Sequence, residues 1–133
     1  MPVHRSEIRV RFGELDPYNH VNHAVYVAYL EAGRTEAMQD LGISIHDLAV
    51  AGWNVVVTDL VVKFRAPARA GDIVIVETGI AQFGAITSRW VQRILRDEQV
   101  LIEGEVRAGS VDPNGRPKRM TPEIMELFRP LVV

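Results

Sequence analysis

The chain has 133 residues, with 15 Lys and Arg against 17 Asp and Glu and a formal charge of −2. That balance argues against nucleic acid as the main partner, which calls for a strongly basic face. There is no cysteine, which removes disulfides, thiolate metal sites and a cysteine nucleophile together and fits a reducing compartment.

No apolar run reaches the ~20 residues of a membrane-spanning helix. The opening MPVHRSEIRV lacks the apolar stretch of a secretory signal, so a cytoplasmic protein with no membrane span is expected. With 47% hydrophobic and 24% charged residues, the composition is that of an ordinary soluble globular chain. Residues 1–133 are expected to form a single domain. A domain of this length buries roughly two thirds of its unfolded surface, enough for a core without staples.

Residues 7–12, EIRVRF, alternate polar and apolar and predict a half-buried strand with Ile8, Val10 and Phe12 on one face. Gly13 and Pro17 then break the pattern and open a loop. A helix is predicted from about Asn22 to Leu41, closed by Gly42. Its first half, AVYVAYL, is apolar on every side, which predicts a buried helix. Its second half, EAGRTEAMQD, turns polar. Ser44 is placed to cap a short second helix through IHDLAVAG.

Long strands follow. Residues 53–66 are predicted to carry Val56, Leu60, Val62 and Phe64 on one face, with Asp59, Lys63 and Arg65 on the other. Pro67 and the Gly71-Asp72 turn end that strand. Further strands are predicted over 73–82, 86–96 and 100–111, and their short connections favour antiparallel pairing. PNGRPKRM reads as a polar turn, and TPEIMELF as a helix with Thr121 as cap and Pro122 at its start. The order is one strand, a buried helix, then four strands. A sheet with one apolar face needs a cover, and the helix is the obvious one. One curved sheet encloses only part of a helix, so the remaining side calls for a second copy and a homodimer.

The chemistry concentrates in LDPYNHVNH. Three readings of Asp16, His20 and His23 are open. They could ligate zinc or iron, although no further ligand follows at a telling spacing. Asp16 and Asn22 could merely cap the loop and the helix start. Or the site is catalytic: the first N–H groups of a buried helix lie unpaired at its positive end and can stabilise an oxyanion. A carboxylate just upstream can activate water or attack a carbonyl. No serine stands in a G-x-S-x-G elbow, and neither GxGxxG nor a P-loop occurs. The acid is therefore the leading catalytic candidate.

RVRFGELDPYNHVNHAVYVAYLEAGRTEAM, followed by KFRAPARAGD and GRPKRMTPE, resembles the hotdog-fold acyl-CoA thioesterases of the 4-hydroxybenzoyl-CoA thioesterase type over nearly the whole length. The resemblance implies an α+β hotdog fold, a five-stranded antiparallel sheet wrapped around a long central helix. It also implies a homodimer, or a homotetramer of such dimers, with active sites between subunits. The substrate would be an acyl-CoA, with coenzyme A as part of the substrate and no cofactor or metal.

Asp16 matches the family's carboxylate nucleophile or base. His23 falls where a helix-start N–H meets the thioester oxygen. His20 and Asn22 belong to an HVN run shared with fatty-acyl thioesterases, including those acting on acyl carrier protein. Phe12 stands where the short-chain branch often has tyrosine, and Tyr18 where the carrier-protein enzymes have asparagine. Arg65, Arg69, Arg89, Arg93, Arg116, Lys118 and Arg119 are candidates for contacts to the phosphates of coenzyme A. Hydrolysis of an acyl-carrier-protein thioester and non-catalytic acyl-CoA binding are the alternatives.

Overall fold

The computed structural model describes residues 4–133. Five strands make one antiparallel sheet: β1 (His4–Arg9), β2 (Asn54–Phe64), β3 (Ile73–Phe83), β4 (Thr87–Arg96) and β5 (Gln99–Val111). They lie in the order β1-β3-β4-β5-β2. The sheet curls around α1 (His23–Asp40), and two short helices, α2 (Ile45–Val50) and α3 (Pro122–Phe128), are the other α-helices among the described residues. This is the hotdog architecture. No helix among the described residues is long and apolar enough to cross a membrane.

Local signals set the helix ends. Asn22 caps α1, its side chain accepting the Ala24 N–H at 2.9 Å. Gly42, at φ 74°, takes the left-handed conformation that follows the helix, where a side chain would be strained. Ser44 and Thr121 cap α2 and α3 in the same way as Asn22.

The first strand is shifted from its expected place. It ends at Arg9 because its partner begins at Ile73, to which Arg9 is paired. Val10 is still buried and joins the Asp72 turn through its N–H. Beyond it the chain has no ladder and makes a 3-10 turn over Phe12–Glu14. Phe12 therefore lies outside the strand and is 82% exposed.

β2 also departs from the expected pattern. Its register against β5 shifts between Val57 and Asp59, so Thr58 is the extra residue of a bulge. Two residues then oppose one, and the faces exchange. Val57 pairs with buried Ala108 and Leu60 with buried Val106, whereas Val56 pairs with Gly109. Val55 and Val57, rather than Val56, share the inner face with Leu60, Val62 and Phe64.

The interior forms two apolar clusters. One, around Val21, Tyr26, Leu30, Val76 and Ile102, supports the start of α1. The other, around Ala37, Ile80, Trp90, Val106 and Phe128, supports its end. Gly33 lies where α1 packs directly against Val76 and Thr78 of β3. A buried Gln92 donates to the Leu30 carbonyl and the Thr78 hydroxyl and accepts from Arg34, tying helix to sheet.

Ala24, Ala28 and Ala32 remain exposed in the single chain, so α1 is not buried all round as its composition predicts. Five strands cover only one side of it. The outer face of the sheet carries paired charges, with Arg93 and Arg5 on the buried Glu77, Arg65 on Glu103 and Arg89 on Glu105. Water screens the exposed pairs among these, so they add little to stability, and this face is solvated rather than part of the core.

Candidate active site

The loop between β1 and α1 is closed by a bridge between Leu15 and Val21. Within it Asp16 N–H donates to the His20 carbonyl at 2.7 Å, and Asn19 N–H donates to the Asp16 carbonyl at 3.1 Å. Asn19 takes φ 61°, a left-handed conformation that asparagine tolerates better than most residues. The Asp16 side chain is fixed through one oxygen. Oδ1 accepts the N–H groups of Tyr18 at 2.8 Å and His20 at 3.1 Å. Oδ2 has no hydrogen-bond partner among the described residues.

The loop ends at Asn22, which takes up the N–H of Ala24 through Oδ1 and that of Val25 through its carbonyl. The His23 N–H has no partner among the described residues. It is the free donor at the positive end of an 18-residue helix, where anionic charge is favoured.

An open cavity of about 320 Å³ joins these parts, lined by Asp16, His20, Val21, His23, Tyr26, Phe64, Arg65, Ala66 and Pro67. Four of the residues expected from sequence thus share one cavity: Asp16, His20, His23 and Arg65. Asn22 sits beside it as the helix cap. Phe12 and Tyr18 are not among its lining residues and are 82% and 79% exposed.

The other basic candidates lie elsewhere in this chain. Arg69 and Asp72 close a turn, the Arg69 N–H donating to Asp72 Oδ2. Arg89, held by Glu105 at 2.6 Å, lines a separate polar crevice with Thr58 and Arg107. Arg93 is held on Glu77. Arg116 belongs to the turn closed on Asp112. Lys118 donates to the Gly52 carbonyl and stands 3.9 Å from the centre of the Trp53 ring. The Arg119 carbonyl accepts from the Trp53 indole. Among the described residues, no three His, Cys, Asp or Glu side chains form a metal-ligand group.

Sequence reading did not assign the far wall of the cavity. Tyr26 is buried, and its hydroxyl accepts the Ala68 N–H at 2.9 Å. Burial pushes its phenol upward, with the Ala68 hydrogen bond acting against that. Phe64 meets Tyr26 edge-on at 5.9 Å. Phe64, Ala66 and Pro67 come from KFRAPARAGD, which sequence reads as a strand end, a turn and part of the family resemblance, with only its arginines singled out as site candidates. Glu14 escaped notice altogether, since nothing local marks it apart from Asp16 two residues later.

A preformed donor at a helix start, a carboxylate with one free oxygen and an open cleft between them suit attack on an acyl carbonyl. Several known proteins similar to this chain are thioesterases. The chain is 32% identical over 127 residues to the acyl-CoA thioester hydrolase YbgC of Escherichia coli, covering 94% of this chain and 95% of that one. It is 31% identical over 127 residues to the chloroplastic acyl-acyl carrier protein thioesterase ATL2 of Arabidopsis thaliana, covering 94% of this chain and 68% of that one. The crystal structure of a thioesterase complexed with coenzyme A and Zn, from Thermus thermophilus, superposes with a TM-score of 0.83 at 28% identity, covering 98% of this chain and 94% of that one. Residues 10–128, which include the acid, the helix and every residue lining the cavity, match the thioesterase-like superfamily, to which the chain belongs.

Proposed function

We infer that the chain hydrolyses acyl-CoA thioesters to a free acid and coenzyme A. The observation that carries this reading is the single cavity holding Asp16 beside the start of α1. The thioester carbonyl oxygen points at the His23 N–H, which stabilises the charge that develops there as the carbonyl carbon is attacked. Asp16 Oδ2 either takes a proton from the attacking water or attacks the carbonyl carbon itself to give a mixed anhydride that water then hydrolyses. In both routes the C–S bond breaks and coenzyme A leaves as thiolate, which takes up the proton given up by water. Holding Oδ1 on two backbone donors spares the carboxylate from reorienting during the reaction. Of the basic candidates Arg65 is the one at this cavity, and we assign it to a phosphate of coenzyme A. Its pairing with Glu103 at the surface is weak enough to exchange for such a contact.

Incubation with a panel of acyl-CoAs is expected to release thiol, read by a free-thiol reagent. Tight acyl-CoA binding without thiol release would instead identify a non-catalytic binding domain. A second reading, an acyl-carrier-protein thioesterase, is favoured by the likeness to the Arabidopsis enzyme. Turnover of one acyl chain on both carriers separates the two, and a higher kcat/KM on coenzyme A is expected.

We also propose that the enzyme is a homodimer, with a second copy covering the outer edge of β2 and the open face of α1. Val57, Val61 and Phe64 are 54%, 50% and 53% exposed along that strand, an apolar edge that a monomer would leave unprotected. Because Phe64 also lines the cavity, the second copy would complete the site. Sedimentation at micromolar concentration is expected to show a dimer or a tetramer of dimers, and a stable monomer would refute this.

A further inference from the structure

The same helix that offers the His23 N–H also grips the acid loop on both flanks. On the entry side, Tyr29 donates its hydroxyl to Glu14 Oε1 at 2.6 Å. The Arg11 N–H donates to the same oxygen at 2.8 Å. The Glu14 carbonyl accepts the N–H of Asn22, the cap of α1, at 2.9 Å. On the exit side, the Tyr26 hydroxyl accepts from Ala68 N–H, and the Ala68 carbonyl accepts from Val21 N–H at 2.9 Å. Tyr26 and Tyr29, three apart and so on one side of α1, meet edge-on with ring centres 6.3 Å apart. Both are buried.

The loop from Leu15 to Val21 is thus anchored at one end through Glu14 to Tyr29 and at the other through Ala68 to Tyr26, both on the helix whose first residue lines the cavity. Its bonds to itself keep its shape, and these anchors, together with the packing of Leu15 and Val21 on the core, fix its distance from the helix start. We propose that Glu14 and Tyr29 are positioning residues for hydrolysis: they hold the Asp16 carboxylate in register with the His23 N–H so that both reach one acyl carbonyl. A catalytic group displaced by about an ångström loses a large share of its rate advantage, even when substrate still binds. Burial and the bond to Glu14 push the Tyr29 phenol well above its ordinary value, so it remains a donor throughout the working range.

The proposal rests on Asp16 being the catalytic acid, and the experiment keeps the two apart. Steady-state kinetics are measured for Tyr29→Phe, Glu14→Ala and Glu14→Gln, and for Tyr29→Phe combined with Asp16→Asn. Tyr29→Phe and Glu14→Ala are expected to lower kcat about tenfold with KM within about twofold, the pattern of an interaction used in the transition state. Glu14→Gln keeps an acceptor for both donors and is expected to stay within about twofold of wild type. In the Asp16→Asn background, Tyr29→Phe is expected to cost nothing further, because the group it positions is gone.

If Tyr29→Phe and Glu14→Ala lower only the melting temperature while kcat holds, the contact is structural and the proposal is overturned. An undiminished Tyr29→Phe loss on top of Asp16→Asn overturns it as well. Full activity of Asp16→Asn alone overturns the assignment of the acid, and the positioning role with it.

Discussion

Asp16→Asn is expected to lower kcat for acyl-CoA hydrolysis by about 10²–10⁴-fold, the range for loss of a positioned base. The asparagine keeps an Oδ1 that accepts from the Tyr18 and His20 N–H groups, as aspartate does. Loop shape and melting temperature should therefore hardly change. Asp16→Ala is expected to lose the same chemistry and the loop's two side-chain bonds as well, with a further loss of stability of about 1–2 kcal/mol. Thiol release and thermal unfolding, measured on both variants, separate the chemical role from the structural one. Activity of Asp16→Asn within a few-fold of wild type would remove Asp16 from the mechanism. The His23 donor is a backbone group, so a side-chain substitution there leaves it in place; a change at the acid is the sharper probe.

The second large effect is expected at Gly33. A Cβ there would lie 2.5 Å from Val76 Cγ1, 3.1 Å from Val76 Cβ and 3.2 Å from Thr78 Oγ1. In an exposed helix Gly→Ala would stabilise by about 1 kcal/mol. Here that gain is outweighed, because α1 must move off β3 or Val76 must leave its packed position. Overpacking of this kind costs about 1–3 kcal/mol, and a displaced Thr78 also disturbs the Gln92 bonds that tie α1 to the sheet. A net loss of about 2 kcal/mol is expected, lowering the melting temperature by roughly 6–8 °C. Because α1 carries the His23 donor, kcat should fall too. Val76→Ala added to Gly33→Ala clears the contact and should recover part of both losses. An unchanged melting temperature for Gly33→Ala would mean that α1 does not lie this close to β3.

Much of the fold was legible because its signals are local. Asn22, Ser44, Thr121 and Gly42 act within a turn of where they stand, and they mark the helix ends in sequence as they do in the structure. Alternation exposed the strands, but it could not show which face of β2 turns inward. VVVTDLVV has apolar residues at both parities before the bulge at Thr58, so only the register against β5 decides. The end of β1 was likewise hidden, since it depends on where β3 begins, some sixty residues later.

The candidate site divides in the same way. Asp16, His20 and His23 fall within eight residues, and their spacing alone brought them together. Phe64 and Pro67 reach the cavity from another strand end, and Glu14 meets Tyr29 across fifteen residues. No local pattern announces either contact. Basic side chains are the least legible of all, because a lysine that covers an indole, as Lys118 does, reads in sequence like one waiting for a phosphate.

The position of β2 in the sheet also bears on how the chain is made. β2 pairs along its inner side with β5, which lies beyond β3 and β4 in the chain. During synthesis, its valines and Phe64 leave the ribosome with no strand to pair with until some forty more residues have been added. Non-local pairing of this kind is slow and leaves apolar strands open to the wrong neighbour meanwhile. Yield of active enzyme should therefore depend on how fast, and at what temperature, the chain is produced.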